Sequence, residues 1–353
     1  MRNRLLNAFR RRQVAQPTAF EPLYSLEQLA VIARLPVIRF EPITTAQSHS
    51  DEQRAGPGAA GVITNLLRRN LLLSRQVSVN GIEDTGILTH AMPEGTIEVI
   101  PDFESCDVVV RGRLRALDGT MHSLQLQILR GDREPEQFSI RFDERQLVEM
   151  LVRVSGELAR RLGIKPTAAM QADWEANLPA GWGVVCLAGV CWEQADWPRL
   201  TTLAQQHRIH ADALCGMSRE DGSPLTQAVY AFGTSIDHTN PQLLFFYFIA
   251  NWKGRNQPRA ADLLRRSLLA APGHGKSQMC LPHVTPITAE STPYVLAHSR
   301  AAYRLLRGNS FALTRISQMT SRSSAHDLRQ TLENQGYSAV SCRTDRGTRW
   351  VTA

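Results

Sequence analysis

The chain has 353 residues, 43% of them hydrophobic and 21% charged, with a formal net charge of +7. That balance excludes a disordered or fibrous chain, and the length predicts two or three domains with cores of their own. No apolar run reaches the ~18–20 residues that a membrane helix needs. The six cysteines, at 106, 186, 191, 215, 280 and 342, are scattered as reduced thiols rather than as a disulfide framework.

The positive charge is concentrated at the ends. Residues 1–12 hold five arginines and no acid, and residues 300–353 hold nine arginines against Asp327, Glu333 and Asp345. By difference, residues 13–299 carry −4, an asymmetry that points to basic ends meeting an acidic partner. The opening MRNRLLNAFRRRQ has the charge of a signal peptide but no apolar segment behind it. The expectation is a cytoplasmic protein with no transmembrane segment.

Residues 1–34 read as a basic arm followed by a short helix, with Ser25 as N-cap and Gln28 in the capping-partner position. A strand over 35–40 follows, then a polar loop over 44–58, a helix over 61–73 and a strand from 77. A second loop, 81–104, contains a short strand at 96–100. Glycines 56, 58 and 61 read as a helix-entry loop: Pro57 sits among them, and the Lys-Ser/Thr of a phosphate loop is missing. Two strands at 107–116 and 121–129 are joined by Asp118-Gly119, a hairpin signal. A third strand covers 136–142. Leu147, Met150, Leu151, Val154, Leu158 and Leu162 then fall at helical spacing, ending at Gly163 and Pro166.

Asp107, Val109, Gly112, Leu114, Arg115, Phe142 and Asp143 form the phrase D-x-V-x-x-G-x-L-R followed by a strand ending in Phe-Asp. With it, residues 35–163 resemble the amino-terminal domain found in TolB-like and FlgO-like bacterial proteins. The resemblance implies a small α/β domain that binds or senses a partner and has no common active site.

From Pro166 onward the pattern is helical, with segments at 168–177, 183–194, 197–207, 211–216, 225–233 and 242–252. Residues 253–272 look like half of a tetratricopeptide (TPR) repeat: Gly254 makes the turn, and Ala260, Leu264 and Ser267 take the small–large–small positions. Phe248 stands where that family has a small residue, so the repeat is degenerate. Cys186, Cys191, His207, His210 and Cys215 have poor spacing for zinc and read as core residues, so no metal is expected. Gly273-His274-Gly275-Lys276-Ser277 mimics the end of a phosphate loop but lacks its first glycine, and reads as a loop between helices. Asp237-His238-Thr239-Asn240-Pro241 reads as a polar turn with N-cap character. The tryptophans at 174, 182, 192, 197 and 252 read as core. No Ser/His/Asp or Cys/His phrase marks a catalytic centre, and no cofactor is expected.

The last segment reads as helices over 293–307, 311–319 and 323–335, then strands over 338–343 and 348–352. This order resembles a winged helix-turn-helix. The resemblance makes Arg322, Ser323, Ser324, His326 and Arg329 candidates for DNA contact from a recognition helix, with Arg343, Arg346 and Arg349 on the wing.

The fold class expected is α+β: a basic arm and helix (1–34), a TolB-like α/β sandwich domain (35–165), a helical TPR-like domain (166–290) and a winged-helix-like basic domain (291–353). The function expected is a non-enzymatic regulatory or adaptor protein that binds another protein. The alternative is a transcription regulator that binds double-stranded DNA through its carboxy-terminal segment. Homo-oligomerisation stays open.

Overall fold

The computed structural model describes residues 20–45, 57–80, 91–92, 95–96, 106–176, 181–194, 196–207, 223–286, 288–306, 339–344 and 347–352. They form a mixed α/β structure. The first helix, α1 (Leu26–Ile32), carries a capping box in which Ser25 and Gln28 bond each other's backbone N–H. Strands β1 (Val37–Phe40), β2 (Thr44–Thr45), β3 (Ser78–Asn80), β6 (Val108–Ala116), β7 (Met121–Leu129) and β8 (Glu136–Asp143) build one sheet of order β3-β1-β6-β7-β8. The β3-β1-β6 part is parallel and β6-β7-β8 antiparallel. Strand β2 continues the line of β1 along β6. Two short strands, β4 (Ala91–Met92) and β5 (Gly95–Thr96), pair with each other.

One face of the sheet is apolar. Val108, Val110 and Leu114 of β6, Leu124, Leu126 and Ile128 of β7, and Ile140 and Phe142 of β8 are all buried, the period-2 pattern of a half-covered antiparallel sheet. Three helices cover that face. Helix α2 (Pro57–Leu72) crosses from β1 to β3. Helix α3 (Leu147–Arg161) buries Leu147, Met150, Leu151, Val154 and Leu158, five of the six residues its periodicity singles out; the sixth, Leu162, is the C-cap and is half-buried. Helix α5 (Trp182–Glu193) packs along α2 and sets Trp182 against His122 and Phe142.

The D-x-V-x-x-G-x-L-R phrase has structural work at each end. The Asp107 carboxylate accepts the Val37 N–H at 2.7 Å, tying β6 to the start of β1. Gly112 lies under Ile43: a Cβ there would be 2.6 Å from Ile43 Cγ1, so the position excludes a side chain. Asp143 caps the 3-10 turn Glu144–Gln146 that leads into α3. Gly163 ends α3 with φ +74°, a left-handed value that favours glycine.

Beyond α3 come α4 (Ala168–Ala176), α6 (Trp197–His207), α7 (Pro224–Ile236), α8 (Pro241–Lys253), α9 (Gln257–Ala270), α10 (Gly275–Val284) and α11 (Thr292–Leu305). Helices α7 to α11 pack each on the next in chain order, and α1 closes the series against α11. Helix α8, apolar almost all round, is the axis of this array: Leu243, Leu244, Phe245, Phe246, Phe248 and Ala250 are all buried. The sequence reading placed a loop over 273–277, but α10 begins within it at Gly275. The buried residues fall into two clusters. The first joins the sheet to α2–α6, and the second joins α1 to α8–α11 and reaches Val37 at the start of β1.

A last antiparallel hairpin, β9 (Ala339–Thr344) and β10 (Gly347–Thr352), stands where two carboxy-terminal strands were expected. No helix among the described residues is long and apolar enough to cross a membrane.

Candidate functional site

Three buried polar clusters hold the side chains best suited to chemistry. The first centres on Arg69 of α2, which is 1% exposed. Its Nε and Nη2 donate to Asp237 Oδ2 and Oδ1 at 2.6 and 3.0 Å, and its Nη1 donates to Asp173 Oδ2 at 2.8 Å. Thr239 Oγ1 lies 3.1 Å from Asp237 Oδ1. Asn70, the next residue, donates to Ser155 Oγ of α3 at 2.9 Å. Burial would lower the Arg69 pKa, but the paired carboxylates of Asp237 and Asp173 outweigh it and raise it above the ordinary range. A bidentate guanidinium with both charges desolvated is a fixed strut, and it ties α2 to α4 and to the turn between α7 and α8.

The polar turn 237–241 therefore does two things. Asp237 receives Arg69, and Asn240 Oδ1 accepts the Leu243 N–H at 3.1 Å to cap α8. The cap was legible in the sequence. The ion pair was not, since 168 positions separate its partners.

The second cluster lies around the start of α10. His274 Nδ1 is 2.7 Å from Ser277 Oγ, and Nε2 is 3.0 Å from Gln242 Oε1. Because that amide oxygen only accepts, Nε2 carries a proton. Ser277 Oγ also meets Ser267 Oγ at 2.8 Å. Lys276 Nζ sits 5.8 and 5.9 Å from the ring centroids of Phe245 and Phe246, a cation–π arrangement. Next along, His298 Nδ1 meets Gln278 Oε1 at 2.6 Å, and burial, with a smaller contribution from the Arg265 charge, pulls the His298 pKa down to about 4. His274, Lys276, Ser277 and Gln278 are all at most 3% exposed. The Ser–His pair thus serves as internal hydrogen bonding between α8, α9 and α10. The two glycines that suggested a phosphate loop are explained by crowding. A Cβ on Gly273 would lie 2.4 Å from the Val77 carbonyl oxygen, and one on Gly275 would lie 2.7 Å from Leu306 Cδ2.

The third cluster joins the sheet to α5. His122 of β7 is fully buried, with Nε2 3.0 Å from Glu144 Oε1 and its ring 4.2 Å from Trp182. Nearby Cys186 has its thiol pushed up to about 11, by burial first and the Glu144 charge second.

Cys106, Cys186, Cys191 and Cys280 are not in disulfides. Among the described residues no group of three or more His, Cys, Asp or Glu could hold a metal ion. Trp174 and Trp182 are core residues, at 1% and 6% exposure. Ala260, Leu264 and Ser267, the small–large–small set, all face inward at 0% exposure, with Phe248 beside them at 3%.

Of the candidate DNA contacts, Arg322, Ser323, Ser324, His326, Arg329 and Arg346 lie outside the described residues, as do the helices expected at 211–216, 311–319 and 323–335. Arg343 and Arg349 lie on the terminal hairpin, where the register pairs Arg343 with Thr348 and Arg349 with Cys342. The two arginines occupy adjacent rungs of one ladder. No known protein-family model matches the chain, and no curated protein matches it.

Proposed function

We propose that the protein is a non-enzymatic adaptor: a TolB-like α/β module joined rigidly to a TPR-like helical array that docks another protein. The observation that carries this reading is the chain-order packing of α7 to α11, closed by α1. Arrays of this kind bury a continuous core between neighbours and leave an extended side surface for a partner. The inward placement of Ala260, Leu264 and Ser267 agrees with it. So does the exposure of Val31, Val190 and Leu269, at 66%, 41% and 52%, on helices α1, α5 and α9.

The test is site-specific photocrosslinking in cells from positions 31, 190 and 269. A discrete adduct with one other polypeptide, reproduced from at least one array position, is the expected result. Crosslinking of none of them to another chain overturns the adaptor reading.

A second reading draws support from the β9–β10 pairing, since a winged helix ends in an antiparallel pair of strands. In it the carboxy-terminal segment binds duplex DNA, with Arg322, Ser323, Ser324, His326 and Arg329 at the bases and Arg343, Arg346 and Arg349 at phosphates. Duplex affinity that falls with salt and is lost in the R322Q/R329Q/R346Q variant supports it. No duplex binding at 50–150 mM salt ends it.

A further inference from the structure

Among the described residues the second face of the sheet is left open across β6–β8, and its composition is selective. The register sets Arg115, Ser123 and Arg141 side by side across the three strands. Arg113, Gln125 and Ser139 form the next row, and Arg111, Gln127 and Gln137 the third. Arg111, Arg113, Arg115 and Arg141 are all exposed. Glu41 pairs with Arg111 at 2.7 Å and with Arg39 at 3.0 Å. The acids within these strands are Glu136, which stands in register with the covered-face residue Ile128 and pairs with Arg130 and Arg161, and Asp143, opposite Met121. The Asp143 carboxylate is engaged by Thr120 Oγ1 at 2.5 Å and the Arg145 N–H at 2.9 Å. The aromatic residues of these strands, Phe138 and Phe142, belong to the covered face with Leu126 and Leu124.

A solvated sheet face needs polar residues, but it does not need one sign of charge. Opposite charges on neighbouring strands would stabilise the sheet, whereas like charges facing one another oppose it. Here β6 places arginine at three successive outward positions, with Arg141 two strands away. Alternate residues on a strand are roughly 6.8 Å apart, and neighbouring strands are about 4.8 Å apart. A cationic row with that repeat matches a regular polyanion, and Arg is the side chain suited to bidentate phosphate contact. The glutamines and serines between the arginines can donate to and accept from sugars and from base edges. Those edges are accessible on such a platform only when the bases are unpaired.

We propose that the open face of β6–β8 binds the backbone of single-stranded nucleic acid, with Arg111, Arg113, Arg115 and Arg141 on phosphates. The site uses none of the carboxy-terminal candidate residues and does not depend on the adaptor reading. Lacking an aromatic stacking platform, it binds with little sequence preference and strong salt dependence. Four neutralised phosphates give a slope of log affinity against log salt of about −2.8, so affinity falls about 50-fold between 50 and 200 mM salt.

The experiment uses the full chain and fluorescence anisotropy with labelled 20-nucleotide oligo-uridine and oligo-thymidine across that salt range. The R113Q/R115Q/R141Q variant changes exposed positions only, and its melting curve serves as the folding control. Its slope should fall to about −0.7, with binding at 50 mM salt weakened on the order of tenfold or more. R343Q/R346Q/R349Q should leave most of the single-strand affinity in place. Either of two results overturns the proposal: single-strand binding that survives in the sheet variant, or single-strand binding that is lost only in the hairpin variant. It is equally overturned if the wild type binds neither oligonucleotide, or takes up only duplex, polyglutamate or phosphatidylserine vesicles. A difference between the two oligonucleotides would say only whether the 2′-hydroxyl is read.

Discussion

Replacing Arg69 by methionine is the most informative single perturbation of the fold. The side chain is buried against two carboxylates, and Asp237 is as buried as Arg69 itself, each side chain being 1% exposed. Removing the cation takes the bidentate guanidinium away from a buried carboxylate, a loss of about 3–5 kcal/mol. That is a large part of the 5–15 kcal/mol by which a domain is ordinarily stable. With a urea dependence of about 3 kcal/mol/M, a 4 kcal/mol loss moves the unfolding midpoint by about 1.3 M. The strut joins α2, in the first buried cluster, to the turn leading into α8, in the second. The variant should therefore also split one cooperative transition into two. In a W252F background, which removes the tryptophan packed against the second cluster, tryptophan fluorescence follows the first cluster through Trp174 and Trp182, and far-ultraviolet circular dichroism follows the helical array. The double variant R69M/D237L removes both charges and should recover at least half of the lost stability, because no buried ion then stands alone. If R69M costs under 1 kcal/mol, or the double variant is no better than the single, the strut does not hold the two halves together.

Three further outcomes follow from buried groups and close approaches. His298 has a folded pKa depressed to about 4 against about 6.5 unfolded. Its contribution to stability is complete above pH 6.5 and is lost as pH falls toward 4, on the order of 3 kcal/mol in all; urea midpoints measured from pH 7.5 to 4.5 should show the decline, and H298N should flatten it. The Cys280 thiol is pushed up to about 12 by burial, which outweighs the opposing Lys276 charge. At pH 8 about one molecule in ten thousand carries the thiolate, so iodoacetamide followed by mass spectrometry should leave Cys280 unmodified in native protein and label it in urea. Gly273→Ala should destabilise more than Gly112→Ala in thermal melts. The first drives a methyl into the backbone oxygen of Val77, the second into the side chains of Ile43 and Leu126, which can shift at about 1–3 kcal/mol.

The local signals in the sequence translated well into local structure. Ser25 and Gln28 form the capping box, Asp118-Gly119 joins the hairpin strands β6 and β7, and the leucine spacing of α3 marks its buried face. These features need only nearby residues, and the physics that fixes them acts over a few positions. Long-range pairing is different. Nothing at position 69 announces Asp237, and nothing at Gly273 announces Val77. The glycines of 273–277 were explained by absent motif letters, whereas the structure explains them by crowding against β3 and Leu306. Of the arginines of β6, the sequence reading uses Arg115 alone, as a letter of the family phrase. Their company on one face depends on the register with β7 and β8, which is a property of pairing and not of any one strand.

The contacts between the two halves also decide which surfaces remain for partners. Asn80 Nδ2 donates to the Leu305 carbonyl at 2.7 Å, and Gly273 lies against Val77, so the helical array seals the β3 edge of the sheet. Val37 is drawn into the second cluster, which covers the start of β1 on the side that would otherwise continue the arginine face. Helices α2, α3 and α5 take the opposite face. What stays open is the stretch from β6 to β8, the part of the sheet farthest along the strand order from the array. A protein docked on the array and a polyanion laid over β6–β8 would therefore meet different sides of one braced body. The Arg69 strut is one of the contacts that brace those sides against each other. Loosening it should weaken any coupling between the two ligands before it weakens either affinity alone, because coupling requires that both sites bias a common arrangement of the two halves.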